Sequence, residues 1–168
     1  MPERGQPPAP VQFTLESAWE LASPVEAVWS LLRSVATWPQ WWRPNLRAVT
    51  RLREGDPEGV GQIDRFTWRG ALPYVLHIDI EVLELSPQRR IVGRARGDVS
   101  GTGTWSLRPT ATGTQVHYCW QVDVDKPWMR RLLPLLRPVF AWNHHAVMRA
   151  GAAGMARALS GPPSPPAP

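Results

Sequence analysis

The first part of the chain has the pattern of one strand followed by short helices. Alternating apolar and polar residues predict a half-buried strand over Val11–Leu21. Ser23 is a favourable N-cap, Pro24 suits the first helical position, and Glu26 would complete a capping box. Apolar residues at helical spacing follow. The aromatic segment 37–42 then predicts a second small helix or turn.

The middle of the chain has the pattern of an antiparallel sheet. Turn residues separate six further apolar-polar segments, at 46–54, 61–69, 74–85, 89–99, 101–107 and 115–124. Consecutive strands joined by such short links favour antiparallel pairing.

One predicted strand, 89–99, has unusually small residues on one face. Arg90, Arg94 and Arg96 share the parity expected to face solvent. The residues of opposite parity are Ile91, Gly93, Ala95 and Gly97. Because such side chains fill little space, we expect a helix or a ligand to occupy the volume beside them.

The C-terminal segment predicts the longest helix of the chain. Pro134 disfavours helical backbone before it and Pro138 fits a first helical turn, so we predict a short helix at 127–133, a kink, and a long helix at 138–159. One apolar stripe of that long helix contains Val139, Trp142, Ala146, Ala150 and Ala153, and a second contains Phe140, Val147, Met148, Gly151 and Met155. A helix apolar around most of its circumference is expected to be wrapped by other structure.

These elements together predict an α+β fold. A curved antiparallel sheet of six to seven strands wraps around the long C-terminal helix, and two short helices follow the first strand. The Pro/Ala-rich ends, 1–10 and 160–168, are expected to be disordered tails around one domain spanning 11–159.

Composition and charge narrow the function classes. The net charge of +5 comes from scattered arginines, which argues against nucleic acid binding. The single cysteine, Cys119, excludes an internal disulfide. With no signal peptide and no apolar run near 18 residues, we expect a soluble cytoplasmic protein without stable membrane insertion, monomeric or homodimeric. Ten tryptophans imply an aromatic core or a lined pocket.

Several short motifs resemble a known superfamily. They are SPVEAVW at 23–29, WPQWW at 38–42, GVG at 59–61 and GTGTW at 101–105. With the element order, they resemble the START/SRPBCC superfamily, the helix-grip fold of the major birch pollen allergen, over residues 13–159. Within it the chain is similar to bacterial proteins labelled polyketide cyclase/dehydrase and lipid transport. The resemblance implies a deep cavity between sheet and helix that binds lipids, sterols, polyketides or hormones; some members catalyse cyclisation or dehydration, and the fold alone does not choose among these.

The candidate site residues lie on the long helix and the inward strand faces. Asn143 and His144 interrupt an apolar helix, where they would orient a ligand carbonyl or hydroxyl, unless backbone or surface partners satisfy them. The other predicted ligand-binding residues are Trp42, Trp68, Tyr74, Trp105, Tyr118, Trp120, Phe140, Val147 and Met148. Trp41 and Trp142 are further aromatic candidates for the same pocket.

The remaining polar candidates carry weaker signals. Asp64 shares a strand face with Phe66 and Trp68, yet a surface position is predicted because a buried carboxylate needs partners. His117 and Cys119 share an outward face with no third orienting group. Adjacent histidines on a helix point about 100° apart, so no metal site is expected, and neither is a cofactor.

Three functions remain open from the sequence. The first is a carrier or sensor that binds a small hydrophobic molecule, such as a lipid, polyketide or aromatic compound. The second is a cyclase/dehydratase-type enzyme, which needs a titratable group facing the cavity; no catalytic residue is assigned. The third is an interaction module whose interior is filled and holds no cavity.

Overall fold

The computed structural model describes residues 11–69, 75–124 and 127–161. The strands are β1 (Val11–Leu21), β2 (Leu46–Arg53), β3 (Ile63–Arg69), β4 (Val75–Ser86), β5 (Arg90–Gly97), β6 (Ser100–Pro109) and β7 (Thr114–Val124). The helices are α1 (Val25–Arg33), α2 (Trp38–Trp41) and α3 (Pro127–Ser160), with a 3-10 turn at Val35–Thr37. The predicted tail 1–10 lies outside the described residues. The predicted tail 160–168 also lies outside them, except for Ser160, the last residue of α3, and Gly161.

The seven strands form one antiparallel sheet in the order β1-β7-β6-β5-β4-β3-β2. Each strand from β2 to β7 pairs with the next along the chain, and β1 closes the other edge by pairing with β7. The sheet curves around α3, and α1 and α2 connect β1 to β2. The predicted α+β helix-grip fold is therefore confirmed.

Strand alternation sets which side chains face the helices. On β6, Gly101, Gly103, Trp105 and Leu107 are all buried. On β5, the predicted parity is confirmed: Arg90, Arg94 and Arg96 are exposed, and Gly93 and Ala95 are buried. Gly97, at the end of the strand, is exposed although it has the inward parity.

The C-terminal helix differs from its predicted form in two ways. It is continuous from Pro127 to Ser160, so the predicted break after residue 133 is wrong. A proline in a helix interior removes one hydrogen bond and can bend a helix without ending it. The predicted wrapping on all sides is also wrong, because Val139 is 41% and Trp142 is 56% exposed. The second stripe faces inward, with Met148 and Met155 in the core, since the sheet and the short helices cover only that side.

The predicted capping box of α1 does not form. The N-cap residue is Pro24, and no side chain caps the helix. Two backbone amides, of Ala27 and Val28, donate to the Pro24 carbonyl, while the carbonyl of Ser23 accepts a hydrogen bond of 2.8 Å from Thr114 Oγ1. Ser23, which the sequence predicts as the N-cap, therefore contacts β7 through its carbonyl and does not cap α1.

Two glycines let α2 approach α3 closely. A Cβ at Gly151 would lie 2.4 Å from the Trp42 ring, and a Cβ at Gly154 would lie 2.0 Å from the Trp41 carbonyl oxygen. The indole Nε1 of Trp42 donates a hydrogen bond of 2.9 Å to the Val147 carbonyl. This junction fixes the position of α3 relative to the sheet. Over the three described ranges, no helix is both long and apolar enough to cross a membrane.

Candidate ligand-binding site

A pocket of about 410 Å³ lies between the concave face of the sheet and the helices. That volume falls within the range of about 300–1,000 Å³ that is typical of small-molecule sites. The helical side is formed by Leu32, Val35, Trp38, Trp42, Phe140, Asn143, His144, Val147 and Met148. Strands β1 and β3 to β7 supply the opposite wall, which is mostly apolar.

One side of the pocket is bounded by a tryptophan cluster, defined here as Trp38, Trp41, Trp42, Trp68 and Trp105. The ring of Trp42 lies 5.3 Å from Trp41, 5.0 Å from Trp68 and 6.2 Å from Trp105, measured between centroids. Stacked and edge-to-face aromatic pairs of this kind add to the free energy of burial. The cluster therefore forms a densely packed and rigid boundary.

The opposite wall, on β5 and β6, is lined by glycines. Gly93 and Gly103 pair directly across the two strands, and both line the pocket with Gly97. A Cβ at Gly103 would lie 2.7 Å from the Tyr118 hydroxyl. The missing side chain of Gly103 thus makes room for the phenol of Tyr118, and that of Gly93 makes room for the Ile80 side chain, which a Cβ would approach to 2.8 Å.

Three polar residues, Tyr118, Asn143 and His144, form what we call the polar wall. The rings of Tyr118 and His144 are stacked with centroids 6.1 Å apart and an interplanar angle of 17°. Tyr118 also packs against Trp105 at 4.5 Å. The backbone of α3 and the register of β7 therefore bring together two residues that lie 26 positions apart in the sequence.

Burial favours the uncharged form of both rings of the polar wall. Burial lowers the pKa of the His144 imidazole to about 4, with a smaller contribution from the neighbouring His145. Burial also raises the pKa of the Tyr118 phenol, with a smaller contribution from Cys119. The Nε2 atom of His144 is buried and has no hydrogen-bond partner among the described residues. A neutral imidazole nitrogen of this kind can accept or donate one hydrogen bond, according to its tautomer.

The predicted surface position of Asp64 is wrong. Its side chain lines the pocket, and the residue is only 3% exposed. Arg51 Nε donates to Asp64 Oδ1 at 2.6 Å, and Gln62 Nε2 donates to Asp64 Oδ2. The hydrogen bond to Asp64 raises the pKa of the Arg51 guanidinium. The partners required for burial come from the neighbouring strand β2 and from the residue two positions earlier, which alternation alone does not identify.

Ten of the eleven predicted ligand-binding residues line the pocket. They are Trp42, Trp68, Trp105, Tyr118, Trp120, Phe140, Asn143, His144, Val147 and Met148. Tyr74 lies outside the described residues. Of the two further aromatic candidates, Trp41 is buried against Trp42 and does not line the pocket, and Trp142 is exposed on the outer side of α3.

The sequence reasoning missed several residues that line the pocket. Trp38 and the polar residues Asp98, Ser100 and Asp123 contribute to its surface. Asp98 lies at the turn between β5 and β6 and Ser100 is the first residue of β6, and strand parity gives little guidance at such a junction. For Asp64 the inward parity shared with Phe66 and Trp68 was the correct signal, although a surface position was predicted.

The histidine and cysteine of β7 lie away from the pocket. His117 Nε2 is 3.9 Å from Glu16 Oε2. Burial raises the pKa of the Cys119 thiol, with a smaller contribution from Glu16, which disfavours a reactive thiolate. Within the part of the chain that the structure describes, no three His, Cys, Asp or Glu side chains are grouped so that they could hold a metal ion.

Comparison with known proteins identifies the family. The sequence matches the family described as "Polyketide cyclase / dehydrase and lipid transport" over residues 12–160. The chain belongs to this family. A search of the curated proteins found no match to the sequence.

Solved structures share the fold of this polyketide cyclase/dehydrase and lipid transport family member. The di-domain ARO/CYC protein BexL matches with a TM-score of 0.74 and 18% identity over 90% of this chain and 51% of that chain. The Zhui aromatase/cyclase from a Streptomyces species matches with a TM-score of 0.69 and 20% identity over 88% and 95% of the two chains. A START superfamily protein from Mycobacterium smegmatis matches with a TM-score of 0.70 and 15% identity over 87% and 96%. The chain spans about half the length of BexL, and at these identities the likeness establishes the fold.

Proposed function

We propose that the protein binds a small, largely apolar molecule with at least one polar group in the pocket between the sheet and α3, as a carrier or sensor. The observation that carries this proposal is the pocket of about 410 Å³ whose apolar lining meets the buried polar wall. Polar side chains that face an apolar cavity do not stabilise the fold, because a buried polar atom without a partner costs free energy. Their presence therefore favours a role in ligand binding. The Nε2 atom of His144 lacks a partner among the described residues and is covered by protein, so a small turn of the ring toward the pocket would let a ligand carbonyl or hydroxyl supply that partner.

The proposed contacts divide into shape and orientation. The aromatic and apolar contacts come from Trp42, Trp68, Trp105, Trp120, Phe140, Val147 and Met148. Tyr118, Asn143 and His144 orient the polar group of the ligand. Burial of apolar area then provides most of the affinity, and the polar wall provides the choice between ligands of similar shape.

A pair of test ligands separates these two contributions. Naphthalene has only apolar surface, and β-acetonaphthone adds one carbonyl group. Binding is measured by quenching of the intrinsic tryptophan fluorescence, and mass spectrometry of gently purified protein identifies any retained natural ligand. We expect both ligands to bind. His144→Leu or Asn143→Leu should weaken β-acetonaphthone about fivefold, the value of one hydrogen bond, and change naphthalene little. If neither ligand binds, the proposed function is wrong.

A second function, catalysis of the cyclase/dehydratase type, is favoured by one observation. The neutral imidazole of His144 stacks beside the buried phenol of Tyr118 in the pocket. In this mechanism the Tyr118 hydroxyl donates to a ligand carbonyl. His144 Nε2 removes a proton from the adjacent carbon and then returns it to the departing β-hydroxyl group, which leaves as water as the conjugated double bond forms.

Dehydration of a β-hydroxy aryl ketone to the conjugated enone tests this second function. The product is followed by its absorbance, with His144→Gln as the variant. Acceleration over buffer that His144→Gln lowers by about a hundredfold would support catalysis. A rate equal to that in buffer, with binding intact, would leave carriage as the function.

A further inference from the structure

Asp64 is a carboxylate on the sheet side of the pocket, where the other lining residues are mostly aromatic and aliphatic, and it forms an ion pair with Arg51. Asp64 lies on β3, level with Arg51 on β2 and Ile80 on β4. Phe66, the next residue of the same parity, is also 3% exposed. From this geometry we infer that Asp64 anchors a neutral hydrogen-bond donor, an alcohol or phenol hydroxyl, on the ligand. The inference rests on the proposed function and names a feature of its ligand.

An ion pair on the outer face of the sheet offers a comparison for this carboxylate. A neighbouring pair on the outer face, Arg65 and Asp79, joins β3 to β4 through two hydrogen bonds of 2.7 Å and 2.8 Å. Those side chains remain partly hydrated, whereas the Asp64 side chain is 5% exposed. Replacing a buried ion pair by apolar residues is often neutral or stabilising. The inward placement therefore sets a charged acceptor beside the pocket, where a ligand can contact it.

The carboxylate retains acceptor capacity toward the pocket. Its two oxygens offer about four lone-pair directions. Arg51 Nε uses one on Oδ1, and Gln62 Nε2 uses one on Oδ2. The guanidinium of Arg51 also binds Glu54, which is exposed, so Arg51 is held between the two acids. This arrangement fixes Asp64 in one orientation, which is a requirement of a specific anchor.

The charge of the pair selects the class of ligand group. A charged ligand group would lose its hydration in this largely apolar pocket, and an anionic group would also be repelled by the carboxylate. A neutral hydroxyl group meets neither penalty, and its hydrogen bond to a charged acceptor is stronger than one to a neutral acceptor. Two other carboxylates border the pocket, Asp98 and Asp123. Asp98 is exposed and accepts the His77 amide at 2.7 Å, and Asp123 is partly exposed, so water weakens any bond that they offer.

Three naphthalene derivatives test the anchor. β-naphthol carries a hydroxyl donor, β-methoxynaphthalene has the same oxygen without the donor, and naphthalene has neither. Their dissociation constants are measured with the full chain and with the variants Asp64→Asn and Asp64→Leu. Asp64→Asn preserves shape, and Asp64→Leu removes the acceptor completely. Asp79→Asn is the matched control, because it makes the same chemical change in the outward-facing ion pair. Circular dichroism and thermal melting confirm that each variant is folded.

We expect the preference for β-naphthol over β-methoxynaphthalene to fall about tenfold or more in Asp64→Leu and less in Asp64→Asn. Naphthalene affinity should change by less than about twofold, and Asp79→Asn should keep the preference of the parent. A preference that survives Asp64→Leu, or that is lost in Asp98→Asn instead, overturns the inference. Naphthalene binding without any preference for the phenol overturns it too and leaves the proposed function standing. Absence of binding by all three ligands overturns both.

Discussion

The two halves of the concave face differ in how densely they are filled. Toward α2, the tryptophan cluster packs ring against ring, and Trp42 is 2% exposed. Toward β5 and β6, the wall contains Gly93, Gly97 and Gly103, and the volume beside them is the pocket. The same sheet supports both halves, so the location of the open volume is decided by side-chain size. The tryptophans therefore hold the helices against the sheet, while the glycines let the residues that line the pocket pack closely together.

The largest effect expected from this comparison is loss of Trp42. Trp42→Ala removes ring contacts with the tryptophan cluster and the hydrogen bond to Val147, so we expect the free energy of unfolding to fall by about 3–5 kcal/mol. Trp120→Ala is the matched change in the open half. Because that ring borders the pocket, it should cost only about 1–2 kcal/mol. Urea denaturation measures both, and equal losses would contradict the distinction between the halves.

The next largest effect is a loss of stability at low pH, caused by the His144 imidazole. The pKa of the His144 imidazole is about 4 in the folded protein, below the ordinary value of 6.5 that it regains on unfolding, so the unfolded chain binds the proton more readily. The neutral fold is fully stable above pH 6.5, and stability is lost as the pH falls from about 6.5 toward 4, by up to about 3 kcal/mol. Denaturation curves measured at several pH values in this range give the free energy of unfolding, which should depend less on pH in His144→Leu than in the parent. His145→Gln, at the exposed neighbour, is the control and should keep most of the slope of the parent. An unchanged slope in His144→Leu would argue against a buried, uncharged imidazole.

A smaller effect is expected from Gly151 in the filled half. Alanine favours a helix over glycine by about 1 kcal/mol, so an exposed site would gain stability from Gly→Ala. At Gly151 the new Cβ would lie 2.4 Å from the Trp42 ring, and overpacking should reverse the sign to a loss of about 1–3 kcal/mol. Thermal unfolding gives the sign directly. A stabilised Gly151→Ala variant would mean that the junction between α2 and α3 is loosely packed.

The smallest effect on stability is expected from the corresponding change in the open half. A Cβ at Gly103 meets the Tyr118 hydroxyl at 2.7 Å, but the phenol can move into the pocket, so Gly103→Ala should cost about 1 kcal/mol or less. Its main result should be weaker binding of naphthalene, by about tenfold, because Tyr118 takes part of the ligand volume. Gly101→Ala is the contrasting control on the same strand, since its Cβ would lie 2.1 Å from the Gln121 carbonyl oxygen and should disrupt the pairing of β6 with β7. Unchanged binding in Gly103→Ala would show that the glycine wall does not shape the site.

The sequence by itself determined the elements of the fold and much of the site's composition. Period-two alternation placed the strands and gave the correct faces for Arg90, Arg94 and Arg96. Alternation works there because one face of the sheet packs on helices and the other meets water. The same local patterns placed Tyr118 on an inward face and made His144 a candidate for the site, and the structure brings these two rings together.

Only the tertiary structure decided which side chains meet across the fold. Asp64 is buried because Arg51 lies level with it on an adjacent strand, a partnership set by register. Ser23 is not the N-cap of α1, and its carbonyl accepts a hydrogen bond from Thr114, 91 residues away. Trp142 is exposed although its stripe is apolar, because the sheet and the short helices cover only one side of α3. Each of these outcomes depends on contacts between residues far apart in the chain, and the free energy of such contacts is absent from any local pattern.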